Sequence, residues 1–283
     1  MKQRIITALL GLVVFFTILF CFDSIIYDIA ICIVSLIAVH ELLLATKCTK
    51  SIPLTVAFMI GAVMPFIYPV RDIDGHSKVL FWYIWGAVLF LIAVIAIVIN
   101  TISSKKISFK QHLFGFLTIV IVPSLFYVLL MLRNEFGHYQ GLYYTLLIFA
   151  CSWGADTGAY FAGRFLGKRK LAPKISPNKT VEGVYGGVAS CLFFISLITV
   201  LYYFIMKSQG QVVQINYFTL IFVGIFGSLS GVLGDLTASA IKRQCQIKDF
   251  GSIMPGHGGV LDRFDSVLLV APFIFIVLKI LTV

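Results

Sequence analysis

Apolar runs of about twenty residues recur along this chain, and they limit what it can fold into. Each run is long enough to cross a hydrocarbon core of roughly 30 Å as an α-helix. The mean hydropathy of +1.01 is far above that of soluble domains, and the alternating pattern of barrel strands is absent. We therefore predict an all-α, polytopic integral membrane protein with about nine transmembrane helices. The predicted spans cover residues 5–22, 24–46, 52–70, 79–99, 112–132, 142–166, 182–205, 216–240 and 264–282.

Lysine and arginine fall mainly on one side of these spans. If the N-terminus is cytoplasmic, 17 of the 22 basic residues lie in cytoplasmic loops or at cytoplasmic span ends. Because such a surplus marks the cytoplasmic side, the pattern predicts a cytoplasmic N-terminus and a C-terminus outside. The same bias accounts for most of the net charge of +10, so the charge does not indicate a nucleic-acid partner.

The two halves of the sequence differ in character. Residues 1–140 are apolar helices in which Asp28, His40 and Glu41 are the exceptional polar groups. Acids within a span are functional candidates, but Asp28 lies near a span end. His40 and Glu41 point about 100° apart on a helix, so a structural role is favoured for all three. We predict an N-terminal scaffold domain, 1–140, and a C-terminal catalytic domain, 141–283.

Residues 151–187 form the first of two polar, glycine-rich segments. Asp156 falls within the sixth predicted span, among glycines whose spacing is typical of close helix packing. The stretch from Ser176 to Gly183 gathers hydroxyls, an amide and a lysine at the entry to a helix, as a phosphate-binding loop does. The candidate binding residues of this segment are Asp156, Ser176, Asn178, Lys179, Thr180 and Glu182.

Residues 230–266 form the second polar segment. Asp235, Ser239 and Lys242 share one face if the eighth helix continues past residue 240. Asp262 and Asp265 fall three apart in the predicted first turn of the last helix, where the helix dipole by itself favours acids. Asp235 and Asp262 flank a glycine-rich loop, and carboxylates together with substrate phosphates are typical Mg²⁺ ligands. The segment predicts metal-assisted phosphoryl or nucleotidyl transfer at the cytoplasmic face, without a protein nucleophile.

A longer motif in this segment matches a known family. Ser239-x-x-Lys242-Arg243, then Lys248-Asp249-x-Gly251, then Pro255-Gly-His257-Gly258-Gly259-x-x-Asp262-Arg263-x-Asp265 closely resembles the signature of the phosphatidate cytidylyltransferases, the CDP-diacylglycerol synthases. The match covers 27 residues, and Gly234-Asp235 and the stretch 176–183 also look like family elements. The resemblance therefore extends over roughly residues 150–283. Met254 stands where the family usually has a branched aliphatic residue or phenylalanine, a change of little consequence for packing.

The resemblance implies that CTP and phosphatidate give CDP-diacylglycerol and pyrophosphate. It also implies that Asp235 and Asp262 bind Mg²⁺, with K⁺ as a candidate second cation, and that the protein is a homodimer. The expected catalytic residues are Asp235, Asp262, Lys242 and Arg263. Further site residues expected from it are Ser239, Arg243, Lys248, Asp249, His257, Gly258, Gly259 and Asp265, and the roles of Asp249, His257 and Asp265 stay open.

Two other functions remain as alternatives. A CTP-dependent lipid kinase, acting on a polyprenol-type alcohol, would use similar features but release CDP in place of pyrophosphate. A transporter would have polar residues along a path through the bilayer, whereas here they cluster at one face. The compact chain without a long cytosolic extension favours a bacterial plasma membrane, with phosphatidate taken from the inner leaflet.

Overall fold

A computed structural model shows a chain built almost wholly from helices, and it describes residues 2–48, 52–67, 75–102, 108–256 and 258–281. The helices are α1 (Lys2–Phe20), α2 (Ile25–Ala45), α3 (Ile52–Ile67), α4 (Gly75–Ile102), α5 (Phe109–Phe149), α6 (Ala155–Leu166), α7 (Val181–Ser208), α8 (Tyr217–Gln244), α9 (Leu261–Phe264) and α10 (Val267–Leu281). A π-helical turn, Ala150–Gly154, joins α5 to α6. Strands β1 (Lys170–Ala172) and β2 (Ser176–Thr180) form an antiparallel hairpin.

Several of these helices are suited to a bilayer. Within the described ranges, five helical stretches are long and apolar enough to cross a membrane: Ile25–Ala45, Lys110–Leu166, Val181–Ser208, Tyr217–Gln244 and Leu261–Leu281. Shorter apolar helices, Ile6–Phe20, Leu54–Phe66 and Tyr83–Ala96, lie where the first, third and fourth spans are predicted. The prediction of an all-α membrane protein is confirmed, while the count of nine spans and the orientation of the termini stay predictions.

The helical path breaks at two points in the structure, one between two predicted spans and one near the start of the last predicted span. In α5, Gly137 has φ 76° and ψ −173°, so the helical path breaks between the fifth and sixth predicted spans. In the last predicted span, α9 ends at Phe264 and α10 begins only at Val267. The expectation that Asp262 and Asp265 share one helical turn is therefore wrong: Asp262 lies in α9, and Asp265 lies in the turn that follows.

The chain folds into two compact units. The first comprises Met1–Asn134 with Cys245–Arg263, and the second comprises Glu135–Gln244 with Phe264–Val283. The segment between α8 and α9, residues 245–260, contains most of the family signature and is called the signature loop. It thus belongs to the same unit as the N-terminal helices. The predicted division at residue 140 concerns function and stays a prediction.

In the first unit, a buried arginine has an acidic partner. Arg133 Nη2 lies 2.6 Å from Asp28 Oδ1, and Arg133 Nη1 donates a hydrogen bond to the Phe22 carbonyl at 3.0 Å. The guanidinium also lies 5.6 Å from the centre of the Tyr27 ring. Because an unpaired charge inside apolar surroundings is costly, Asp28 acts here as a structural counter-ion, in line with the role predicted for it.

In the second unit, α6 packs closely against α7. A Cβ added at Gly158 would overlap the Ser190 side chain and lie 2.6 Å from the Gly186 carbonyl oxygen. Ser190 Oγ also donates to the Gly154 carbonyl at 2.9 Å. The glycine spacing around Asp156 therefore serves close helix packing, as the sequence predicts. This packing places the stretch of α6 that carries Asp156 against residues 186–190 in the N-terminal half of α7.

Candidate active site

The second unit contains a cavity of about 500 Å³ between α6, β2, α7 and α8. Its volume is in the range of small-ligand pockets, roughly 300–1,000 Å³. Both polar segments of the sequence contribute to its wall. The charged and polar residues that line it include Asp156, Arg164, Asn178, Lys179, Thr180 and Asp235.

The β-hairpin places three of these residues, Asn178, Lys179 and Thr180, at the entry to α7. β1 and β2 pair with Lys170 opposite Thr180. Thr180 caps α7, because its Oγ1 accepts a hydrogen bond from the Gly183 N–H at 3.1 Å. Asn178 and Lys179 therefore lie directly before the N-terminus of the helix. The sequence predicts polar residues at a helix entry here, but it does not predict the two strands.

Two residues expected to bind substrate hold the hairpin in place. Glu182 Oε2 accepts hydrogen bonds from the backbone N–H groups of Lys168 and Arg169, at 3.0 and 3.1 Å. Arg243 Nε, near the end of α8, donates to the Ile175 carbonyl at 3.3 Å. Contacts of Glu182 and Arg243 with a substrate stay predictions, and in the structure both residues hold the hairpin that carries Lys179.

Asp235, in the second polar segment, contacts a residue of the first. Because α8 continues to Gln244, Asp235 and Ser239 do share a face, and Ser239 Oγ donates to Asp235 Oδ1 at 3.2 Å. The other carboxylate oxygen, Oδ2, lies 2.6 Å from Lys179 Nζ. The side chains of Lys179 and Asp235 are 21% and 26% exposed, so this ion pair is partly shielded from water. The cavity wall thus carries a carboxylate that is paired with the ammonium group of a lysine.

Two further acids, Asp156 and Asp265, meet at Ser266. Its hydroxyl lies 3.1 Å from Asp156 Oδ2 and 3.3 Å from Asp265 Oδ1. The Ser266 N–H donates to the same Asp265 oxygen at 2.8 Å. Gly234 allows α8 to approach this turn, because an added Cβ there would lie 2.6 Å from the Asp265 carbonyl oxygen. Sequence reasoning misses Ser266, although it directly follows a predicted site residue.

In the first unit, Asp262 organises the signature loop. Its Oδ2 accepts hydrogen bonds from the Phe250 N–H at 2.8 Å and the Gly259 N–H at 3.0 Å, and the residue is only 7% exposed. Gly258 has a φ of +87°, and a Cβ there would lie 2.9 Å from the same oxygen. Glycine is therefore needed at 258 both for its backbone conformation and for the closeness of Asp262.

Glu41 is the acid whose partner the sequence does not reveal. It is 2% exposed, and its carboxylate accepts hydrogen bonds from the Val260 N–H at 3.0 Å and the Leu261 N–H at 2.8 Å. The structural role predicted for Glu41 is thus to bind the backbone at the end of the signature loop. An acid within an apolar span is the signal that marks it as a candidate.

The remaining predicted residues lie at more accessible positions. Lys248, Asp249 and Arg263 are exposed in the first unit, and Lys242 is half-buried in the second. Ser176 is half-buried in β2. His257 lies outside the described residues. Among the residues that the structure describes, no group of three or more His, Cys, Asp and Glu side chains has a metal-binding arrangement.

Asp235 and Asp262 belong to different compact units, so a metal shared between them stays a prediction. Within the second unit alone, lysine, arginine, hydroxyl and amide groups line one cavity together with two carboxylates. Such a set can bind a phosphorylated ligand and neutralise its charge. The fold and this site together define a multi-pass helical membrane protein with a cavity whose wall carries charged residues.

Comparison with known proteins identifies the family. The cytidylyltransferase family model matches residues 2–281, and the chain belongs to this family. Phosphatidate cytidylyltransferase of Bacillus subtilis (strain 168) is 36% identical over 290 residues, which cover 98% of this chain and 97% of the relative. The protein of that name from Staphylococcus aureus (strain COL) is 37% identical over 285 residues, covering 98% and 99%. The one from Haemophilus influenzae is 33% identical over 296 residues, covering 96% of each chain. The resemblance seen in the signature is confirmed.

Proposed function

We propose that this protein transfers the cytidylyl group of CTP to phosphatidate, giving CDP-diacylglycerol and pyrophosphate for phospholipid synthesis. The observation that carries the proposal is the similarity, over nearly the whole of each chain, to relatives named phosphatidate cytidylyltransferase. The cavity of the second unit supports it, because both substrates are phosphate anions and need cationic and hydrogen-bonding partners.

The proposed reaction needs no nucleophile from the protein. A phosphate oxygen of phosphatidate attacks the α-phosphorus of CTP, a new P–O bond forms, and the bond to the β-phosphate oxygen breaks to release pyrophosphate. Because the attacking phosphate is already an anion, the protein chiefly aligns the two anions and offsets their charge. Lys179 and Arg164 line the cavity and suit this task. Lys242, Arg243, Lys248 and Arg263 are the further phosphate contacts that we propose.

The residues present fit a bound divalent cation. Asp156 and Asp235 line one cavity with the amide of Asn178 and the hydroxyl of Thr180, and such oxygen groups are the ligands that Mg²⁺ prefers. The Lys179 ammonium beside Asp235 Oδ2 marks a place where positive charge is stabilised. We propose that Asp235 holds Mg²⁺ and, following the family resemblance, that Asp262 takes part, with K⁺ as a candidate second cation. When bound, the metal would offset charge on the triphosphate.

The topology and setting proposed for the protein follow from the sequence. Nine spans with a cytoplasmic N-terminus would put residues 151–187 and 230–266 on the cytoplasmic side, where CTP is available. The apolar helices and the bacterial relatives favour the plasma membrane of a bacterium. We further propose a homodimer in which the N-terminal helices supply the contact.

The test of this function uses the purified full-length protein in detergent with dioleoyl phosphatidate, radiolabelled CTP and Mg²⁺. We expect label in a lipid product and an equal amount of pyrophosphate. Release of CDP together with a phosphorylated polyprenol-type alcohol would instead identify a CTP-dependent lipid kinase. Absence of turnover with any lipid phosphate, in protein shown to be folded, would overturn the proposal.

Lys179→Met should weaken CTP use and change the response to metal. Losing one charged contact to phosphate should lower kcat/KM for CTP by about 10–100-fold. Since the Asp235 carboxylate also loses its cation partner, Mg²⁺ no longer has to displace an ammonium, and Mg²⁺ should raise the midpoint of thermal unfolding more in the variant than in the wild type. Steady-state kinetics and thermal unfolding with and without Mg²⁺ measure both effects.

Lys207→Met is the matched control, since Lys207 lies in the last turn of α7, far along that helix from Thr180. It should leave kcat/KM and the Mg²⁺ response within about twofold of the wild type, as expected for a surface substitution. Equal kinetics for Lys179→Met and wild type would exclude Lys179 from substrate binding.

A further inference from the structure

Three consecutive backbone N–H groups of the signature loop all donate to buried carboxylates. The Gly259 N–H binds Asp262 Oδ2, the Val260 N–H binds Glu41 Oε1, and the Leu261 N–H binds Glu41 Oε2. Asp262 comes directly after these three residues. The backbone leading into Asp262 is therefore fixed by two acids, one local and one from α2.

The loop is also shaped around the Glu41 side chain. A Cβ added at Gly251 would lie 2.7 Å from Glu41 Cδ, and one added at Gly259 would lie 2.5 Å from the same atom. Two loop segments thus contact the carboxylate so closely that neither has room for a side chain. With Glu41 only 2% exposed, the carboxylate is enclosed by the loop and by its own helix.

We propose that Glu41 is a positioning residue, which holds the Val260–Leu261 backbone and thereby orients the carboxylate of Asp262 for metal binding. The inference rests on the proposed function, in which Asp262 is a ligand of the divalent cation. A group that orients a metal ligand through hydrogen bonds commonly affects metal affinity almost as strongly as the ligand does. Here both oxygens of Glu41 are engaged by successive N–H groups, which fixes the orientation of that peptide segment.

Each oxygen of Glu41 accepts a different loop N–H group, so a substitution that keeps one acceptor and removes the other tests whether Glu41 orients the loop or only holds it in place. Glutamine has nearly the shape of glutamate, but it has one acceptor oxygen and one NH₂ group. In Glu41→Gln, one of the two loop N–H groups would therefore face a donor in place of an acceptor. The loop can stay folded through the remaining bond and the bonds to Asp262, while the segment before Asp262 loses its fixed orientation.

The experiment measures Mn²⁺ binding to the full-length protein in detergent by electron paramagnetic resonance, without substrate. In Glu41→Gln we expect Mn²⁺ affinity to fall by about 10–100-fold. The fall should not exceed that seen in Asp262→Asn. Hydrogen exchange at the Val260 and Leu261 amides should also become faster.

The matched control is Asp28→Asn, which removes another acid of α2 from a structural ion pair. It should lower the midpoint of thermal unfolding and leave Mn²⁺ affinity unchanged, because Asp28 does not contact the loop in the described structure. If Glu41→Gln does not fold, Glu41→Asp keeps both oxygens on a shorter side chain and should still weaken Mn²⁺ binding.

The outcomes separate this inference from the proposed function. Mn²⁺ affinity equal to wild type in a folded Glu41 variant would overturn the positioning role, and so would a wild type that binds no Mn²⁺. Weaker Mn²⁺ binding in Glu41→Gln would support the role even if the wild type failed to make CDP-diacylglycerol. In that case the proposed reaction alone would be rejected.

Discussion

Asp235→Asn should lower kcat by at least about 10²-fold, with little change in the midpoint of thermal unfolding. Asparagine keeps an oxygen that can accept the Ser239 hydroxyl, so the local contact on α8 survives. The substitution removes the negative charge that faces Lys179 and that we propose to hold Mg²⁺. The loss should therefore appear in turnover and in metal binding, measured with radiolabelled CTP and by Mn²⁺ titration.

Glu135→Gln is the control for this prediction. Glu135 pairs with Lys279 in the same compact unit, but it does not line the cavity. Its substitution removes the same charge and should leave kcat within about twofold of wild type, as expected for an exposed pair. If Asp235→Asn turned over CTP as fast as this control, the metal role of Asp235 would have to be abandoned.

Asp262→Asn and Asp262→Ala should give different results, because Asp262 has both a loop role and a proposed metal role. Asparagine can still accept the N–H groups of Phe250 and Gly259, so this variant should stay folded while kcat falls by about 10²-fold or more. Alanine leaves both N–H groups without that acceptor and should in addition lower the free energy of unfolding by about 2–4 kcal/mol.

Comparing the two substitutions at one position provides the internal control. Activity is measured by CDP-diacylglycerol formation, and stability by thermal unfolding in the same detergent. An Asp262→Asn variant with wild-type activity would show that the carboxylate serves the loop alone. Equal stability of the two variants would show that the two loop hydrogen bonds contribute little.

Local patterns in the sequence predict the helical parts of this molecule well. The spacing of Asp235 and Ser239 predicts a shared face, and the hydrogen bond between them confirms it, because an i, i+4 relation depends only on the helix continuing. The glycine spacing around Gly158 predicts close packing for the same reason. The break after α9 is missed, because acids in a first helical turn and acids in a turn between two helices look alike in sequence.

Contacts between distant segments are not visible in the sequence alone. The pairing of Lys179 with Asp235 depends on how the hairpin lies against α8, and neither residue has a local pattern that names the other. The hairpin itself is short and polar, so it has no alternating apolar residues to mark its strands. For Glu41, the sequence shows an acid within an apolar span but not the loop, 219 and 220 residues away, that it binds.

The bonds from Glu41 to Val260 and Leu261 also impose an order on how the protein is made. During synthesis at about 5–20 residues per second, the loop emerges roughly 10–40 s after α2. In that interval α2 has a carboxylate whose final hydrogen-bond donors do not yet exist, in surroundings where an unsatisfied polar group is costly. The helix α2 thus completes its contacts only after a loop about 220 residues further along the chain has been made.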